Sequence, residues 1–366
     1  ITPVNAIGST FPLYDTYLLD LWGVIHDGNT LYNSPTSRTS TLDILNHLKS
    51  HKKIVHLLSN SSRRLIPTTA HVCEKFQLPR SLFSTIVTSG EVGHNRLSKT
   101  STLTSKLFCF GNAIDDIEYV TTAGWSFANV EDCDLLLARG TFAIVNADNQ
   151  VDGGEKSENN LTVEAVMSVL SVAVKRGITM LVTNPDRVRP GPLKVMMPGA
   201  LGDMYEKLGG KVDWIGKPHH GGHYESVYDV AMADDDNEKS KKDYSRVCMI
   251  GDTLATDVTG AFNAKLGGVI WVTDDGVHCN DSEAERSSKL SALAAERGEE
   301  SSTARVHSVK HFFSSVPKKN KFYLLRHGNS EANAAGIISS DPAISVENHG
   351  LTALGREQAA ASGEKF

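Results

Sequence analysis

The chain has 366 residues, a formal net charge of -6, and 40% hydrophobic and 22% charged residues, a composition that suits a globular protein of two or three domains. That charge gives no electrostatic reason to expect nucleic acid, and no apolar run is long enough to span a membrane. Five scattered cysteines (Cys73, Cys109, Cys133, Cys248, Cys279) form no C-x-x-C pair and suit a cytoplasmic or other reducing compartment; with Ile1 in place of an initiator Met, organelle targeting stays open.

Short apolar runs alternate with helical patterns, which predicts an α/β fold with a parallel sheet and crossover helices. Strands are expected at 17–19, 54–58, 85–87, 107–110, 135–138, 180–182, 247–250 and 269–272. Segment 40–50 carries Leu42, Leu45 and Leu48 at helical spacing, and 161–175 is an amphipathic helix closed by Arg176-Gly177. Residues 147–160 and the charged stretch 233–245 read as surface loops. Residues 280–319, rich in Ser, Glu, Ala and Lys, read as a linker with a helix near 289–297. A fresh apolar strand then opens a second unit at Lys321.

Four segments carry chemistry. An apolar strand runs into Asp20 and turns at Gly23, which displays a carboxylate at a strand's carboxyl end, where ligands bind in open α/β sheets. Such a carboxylate can act as a nucleophile. A second strand ends in Ser59-Asn60-Ser61-Ser62, whose hydroxyls and turn N–H groups can hold phosphate oxygens. The segment Trp214-Ile215-Gly216-Lys217-Pro218 supplies a cation that can neutralise the nucleophile and a transferring phosphoryl group. A fourth strand ends in Gly251-Asp252, with Asp257 five residues on. Asp20 and Asp252 together can hold a hard octahedral ion, which points to Mg²⁺. Asp257 would orient a metal water or Lys217. Taken singly, each segment reads more readily as a cap, a turn or a surface lysine; in order they agree on one chemistry.

These four segments resemble the motifs of the haloacid dehalogenase (HAD) superfamily. The resemblance covers residues 10–278 and is nearest to the subfamily with a large α/β cap, class IIA, the NagD and p-nitrophenyl phosphatase group. Ser89-Gly90-Glu91 and Thr183-Asn184-Pro185-Asp186 fit the entry to and exit from that cap. It implies a Rossmann-like core at 10–95 and 190–278, an inserted α/β cap at 96–189, and a linker at 279–320. It further implies a Mg²⁺-dependent phosphatase acting on a small phosphorylated metabolite through an aspartyl phosphate. Asp20, Lys217 and Ser59 would be catalytic. Ser59, Asn60, Asn184 and Lys217 would bind phosphate or substrate, and Asp20, the Trp22 backbone carbonyl, Asp252 and Asp257 the metal. No nucleic acid or membrane partner is implied, and a homodimer is left open.

One position departs from that pattern. The family places a second Asp two residues after the nucleophile, which protonates the leaving oxygen and then activates water; here Trp22 stands in its place. Three readings stay open: a substrate whose leaving group needs no acid, replacement of the acid by His26 or Asp27, or a module that binds phosphorylated ligands with little turnover. Transfer of the phosphoryl group to an acceptor other than water is a rival enzymatic reading. His219, His220 and His223 offer either a transition-metal cluster or a loop, and Arg187 and Arg189 could bind a second anionic group.

Near the C-terminus, Leu325-Arg326-His327-Gly328-Asn329 and Asn348-His349-Gly350-Leu351-Thr352 resemble the opening motifs of the histidine phosphatase (phosphoglycerate mutase-like) superfamily. That resemblance makes His327 a phosphoryl acceptor and Arg326 a phosphate ligand. It covers only residues 321–366, so the piece reads as an incomplete, inactive fragment of such a domain within a longer bifunctional protein.

Overall fold

A computed structural model describes residues 2–3, 10–32, 41–112, 115–145, 147, 151–152, 161–188, 195–220, 226–233, 244–273, 276–296, 305–309, 330–335 and 350–363. In chain order its strands are β1 (Thr2–Pro3), β2 (Thr16–Asp20), β3 (Ile54–Ser59), β4 (Thr85–Thr88), β5 (Lys106–Gly111), β6 (Ser126–Phe127), β7 (Leu135–Ala138), β8 (Ala143–Val145), β9 (Val151–Asp152), β10 (Thr179–Val182), β11 (Lys211–Trp214), β12 (Val247–Gly251), β13 (Gly268–Val272) and β14 (Arg305–Val309). They form two sheets in an α/β arrangement.

The first sheet has the order β1-β14-β13-β12-β2-β3-β4, and every neighbouring pair is parallel. Its central strands are buried on both faces, which is why they read as continuous apolar runs. In β2, Leu18 packs into one core layer while Tyr17 and Leu19 pack into the other. The chain builds β3 and β4 on one side of β2 and later returns to lay β12 on the other. A topological switch point therefore lies between β2 and β12, the place where such sheets open a crevice for ligands.

The second sheet has the order β11-β10-β7-β5-β8-β9, with β6 beside β5. β11, β10, β7, β5 and β6 run parallel, and β8 is antiparallel to both its neighbours, β5 and β9. Behind it packs the helix Val163–Arg176, which Thr162 caps by accepting from Ala165 N and Gly177 ends at φ +66°.

The eight strands expected between residues 17 and 272 are present, and the strand expected from Lys321 lies outside the described residues. The expected helices correspond to Thr41–Ser50, Val163–Arg176 and Glu283–Glu296. Three strands depart from the expected layout, the first being β9, which lies within the stretch 147–160 expected as a loop and pairs with β8. β11 extends the second sheet to Trp214 and is absent from the expected strands because its half-buried edge sequence Lys-Val-Asp-Trp carries no apolar run. β14, inside the expected linker 279–320, pairs in parallel with β13 and with β1.

Residues 318–366 form a separate compact unit. Its described part holds the helices Glu331–Ala334 and Ala353–Gly363, the latter capped by Thr352 Oγ1 accepting from Gly355 N at 3.0 Å.

Candidate active site

β12, β2 and β3 are adjacent and parallel, so their carboxyl ends share one edge. Asp20 ends β2, Ser59 ends β3, and Asp252 directly follows β12. Lys217, 2% exposed, enters from the segment after β11. Its Nζ donates to Asp20 Oδ1 at 2.5 Å and to Asp257 Oδ1 at 2.7 Å. Asp20, Asp252 and Asp257 each bring a carboxylate oxygen to within 4.8 Å of the others.

The loops around these groups fix them closely. Thr253 N donates to Asp257 Oδ2 at 3.1 Å, Val277 N to Asp252 Oδ2 at 2.8 Å, and Thr253 Oγ1 to Asp252 Oδ1 at 3.1 Å. Gly23 has φ +91°, and a Cβ there would lie 2.4 Å from the Asp252 carboxylate, so only glycine lets the β2 loop pass this closely.

Electrostatics follow from the crowding. Burial pushes Asp20 well above the usual carboxylate range despite Lys217, and Asp257 and Asp252 add to the rise. Burial, then Asp257, pushes Asp252 up to about 7. Burial alone would lower Lys217, but Asp20 and Asp257 hold it above its ordinary value, so it stays a cation. Three carboxylates against one ammonium leave a surplus of two negative charges when all are ionised. An all-oxygen cluster with that surplus fits a hard divalent cation.

The remaining expected residues are placed as follows. Ser59 Oγ accepts from Ser61 N at 3.2 Å. The Asn60 carboxamide is engaged with the Lys217 main chain and with Asp186. Asn184 Oδ1 closes a turn by accepting from Asp186 N at 3.0 Å. Arg187 forms a two-pronged pair with Asp203, at 3.1 and 2.9 Å, and lies over the Trp214 ring. His219 stacks on Trp214 at 5.0 Å, and burial lowers its pKa to about 4. His220 Nδ1 meets Ser226 Oγ at 2.8 Å. Among the described residues these two histidines join no metal-ligating group. Arg189, His223, Arg326 and His327 lie outside the described residues.

Trp22 is half-buried, packs on Gly28 and meets the His26 ring edge-on at 5.7 Å. Neither neighbour fits the role of substitute acid. His26 is buried, stacks on Phe76 at 4.3 Å, and has a pKa lowered to about 4 by burial, so it holds no acidic proton near neutrality. Asp27 is exposed and accepts from Asn29 N and Thr30 N; those bonds hold it below its ordinary value, and it is ionised.

A family model described as HAD-hydrolase-like matches residues 214–295, the stretch with Lys217, Asp252 and Asp257. No curated protein sequence matches. Among solved structures, the chain is similar to a haloacid dehalogenase-like hydrolase from Brucella suis 1330, at TM-score 0.61 and 22% identity, covering 84% of this chain and 99% of that one. It is also similar to a p-nitrophenyl phosphatase from Archaeoglobus fulgidus, at TM-score 0.55 and 19% identity over 82% and 97% of the two chains. A 4-nitrophenylphosphatase from Thermotoga maritima aligns at TM-score 0.54 and 21% identity over 81% and 95%. None of these findings supports the second, histidine phosphatase resemblance, since the family model ends at residue 295. At these identities the likeness is one of fold: residues of this chain adopt the two-sheet α/β fold of HAD-type hydrolases.

Proposed function

We propose that this chain is a Mg²⁺-dependent phosphatase that hydrolyses small phosphomonoesters through an aspartyl phosphate on Asp20. The first sheet is the catalytic core in this reading, and the second belongs to a cap over the carboxyl edge. The observation that carries it is Lys217 bridging Asp20 and Asp257 at 2.5 and 2.7 Å, with Asp252 alongside. The similar solved structures named as p-nitrophenyl phosphatases agree with it.

In the proposed reaction an Asp20 oxygen attacks phosphorus, and the bond from phosphorus to the leaving oxygen breaks with its electron pair going to that oxygen. Lys217 neutralises charge on the nucleophile and on the phosphoryl oxygens, and the Ser59 hydroxyl and the turn after it hold those oxygens. Asp20, Asp252 and the Trp22 carbonyl would hold the Mg²⁺, which supplies charge neutralisation at the phosphoryl group. Asp257 orients Lys217. Water then attacks phosphorus, the bond from phosphorus to the Asp20 oxygen breaks with its electron pair returning to the carboxylate, and inorganic phosphate leaves while the water's proton passes to solvent.

Trp22 narrows the substrate class. An indole gives the leaving oxygen no proton, and general acid help of this kind is typically worth about 10²–10⁴-fold. Aryl, acyl or anhydride phosphates, whose leaving groups are stable anions, are therefore the substrates the site suits. The same gap slows water activation and lends some support to phosphoryl transfer to another acceptor. The test is Mg²⁺-dependent hydrolysis of p-nitrophenyl phosphate and of an alkyl phosphate, with Asp20→Asn as control. The reading expects Asp20-dependent turnover of the aryl ester well above that of the alkyl ester. Equal rates would overturn the leaving-group argument, and no Asp20-dependent rate on either would favour a phospho-ligand-binding module.

A further inference from the structure

The sequence reading places Asn60 on the phosphate, yet its carboxamide is turned elsewhere. Its Oδ1 accepts from Lys217 N at 2.8 Å, and its Nδ2 donates to Lys217 O at 3.0 Å and to Asp186 Oδ1 at 2.9 Å. Both amide hydrogens are thereby used, so none is left for a phosphate oxygen. Asn60 is 6% exposed, which makes these bonds costly to lose. The residue before Lys217 is fitted to this contact. Gly216 has φ +109°, and a Cβ there would lie 2.8 Å from both Asn60 Oδ1 and Pro185 Cδ. Asp186 is held independently: its carbonyl accepts from Gly199 N at 2.9 Å, in the first turn of the helix Pro198–Lys207, which packs on β10 and β11 of the second sheet.

We propose that Asn60 is a positioning residue for Lys217, clamping its peptide from both sides, and that Asp186 ties this clamp to the second sheet. The placement of the ammonium between Asp20 and Asp257 then depends on a contact between residues 126 positions apart. The inference rests on the phosphoryl-transfer reading for its catalytic meaning; the clamp itself is tested separately.

The experiment pairs steady-state hydrolysis of p-nitrophenyl phosphate with amine-reactive labelling of Lys217, read by mass spectrometry, on the whole chain. In the native protein Lys217 should label far more slowly than the exposed Lys106. Asn60→Ala should bring Lys217 labelling toward that of Lys106 and lower kcat by roughly 10–100-fold, with a smaller change in KM. The reciprocal exchange Asn60→Asp with Asp186→Asn keeps two of the three hydrogen bonds, to Lys217 N and between positions 60 and 186. It should restore protection of Lys217 and most of kcat, a rescue that a phosphate-contacting Asn60 would not show, since a carboxylate there repels the substrate. Unchanged labelling in a folded Asn60→Ala protein, with or without loss of kcat, overturns the clamp. So does an exchange variant that folds but leaves Lys217 as reactive as in Asn60→Ala. If the native protein shows no Asp20-dependent hydrolysis, the phosphatase reading fails while the labelling still decides the clamp.

Discussion

At position 22, two residues past the proposed nucleophile, an indole stands where proton transfer would call for a carboxyl. Its ring rests on Gly28 and against His26, and neither His26 nor Asp27, both held below their ordinary pKa, keeps a proton to give near neutrality. If that absence sets the substrate range, Trp22→Asp should raise kcat/KM for an alkyl phosphate by about 10²-fold or more and kcat/KM for an aryl phosphate much less. An unchanged alkyl-to-aryl ratio would contradict this. The buried carboxylates make a second prediction. Asp252 has a folded pKa of about 7 against an ordinary 3.8, so the folded state binds its proton more tightly than the unfolded chain does. That contribution to stability is complete below about pH 4 and is lost as pH rises through about 7. In chelator, the Tm should therefore fall between pH 5 and pH 8 by more than in Asp252→Asn, and added Mg²⁺ should reverse the fall at pH 8; a decline of the same size in both proteins would refute this. A third concerns backbone. Gly23→Ala forces a Cβ into the Asp252 carboxylate at φ +91° and should cost about 1–2 kcal/mol or more in urea unfolding.

At the scale of elements, the loop after β3 couples the two sheets. Asn60 reaches Asp186 after β10 and Ser62 O accepts from Arg139 after β7, while Ser61 O accepts from Ser89 Oγ and Arg64 pairs with Glu91 on the helix that follows β4. Arg139, 4% exposed, also pairs with the fully buried Asp116 and lies over the Tyr119 ring at 4.3 Å. Replacing Arg139 by Met removes the cation paired with the buried Asp116 carboxylate, which keeps its bond from Asn112 N, and should cost about 3–5 kcal/mol in urea unfolding; a cost below about 1 kcal/mol, the range of a surface ion pair, would contradict it. These contacts mark where sequence reading stops. The strands carrying Asp20, Ser59 and Asp252 were legible because buried parallel strands are continuous apolar runs ending in polar residues. β11 and β8 were not, because a half-exposed strand of mixed sequence and a strand of three residues leave no period to read. Lys217, Asp252 and Asp257 were legible as types at a spacing. That Asn60 holds the Lys217 peptide, and that Asp116 meets Arg139, depends on long-range approach that no local pattern encodes.

At the scale of the molecule, the strand order explains why the site lies where it does. The chain reverses direction of sheet growth between β2 and β12, and the acids that end or follow those strands, Asp20 and Asp252, meet across the resulting crevice. Among the described residues, no helix is long and apolar enough to cross a membrane. In a chain of net charge -6, Lys217 is a buried cation held between Asp20 and Asp257. The proposed reaction is covalent phosphoryl transfer to Asp20 with slow release, since position 22 offers water no base. The most direct measurement is acid-quenched turnover of p-nitrophenyl phosphate with Mg²⁺, followed by mass spectrometry of the peptide containing Asp20. The expected result is a phosphoryl group on Asp20 at near-stoichiometric level, matched by a burst of nitrophenolate and absent from Asp20→Asn. Steady Asp20-dependent turnover with neither burst nor modified peptide, under conditions that preserve acyl phosphates, would contradict it.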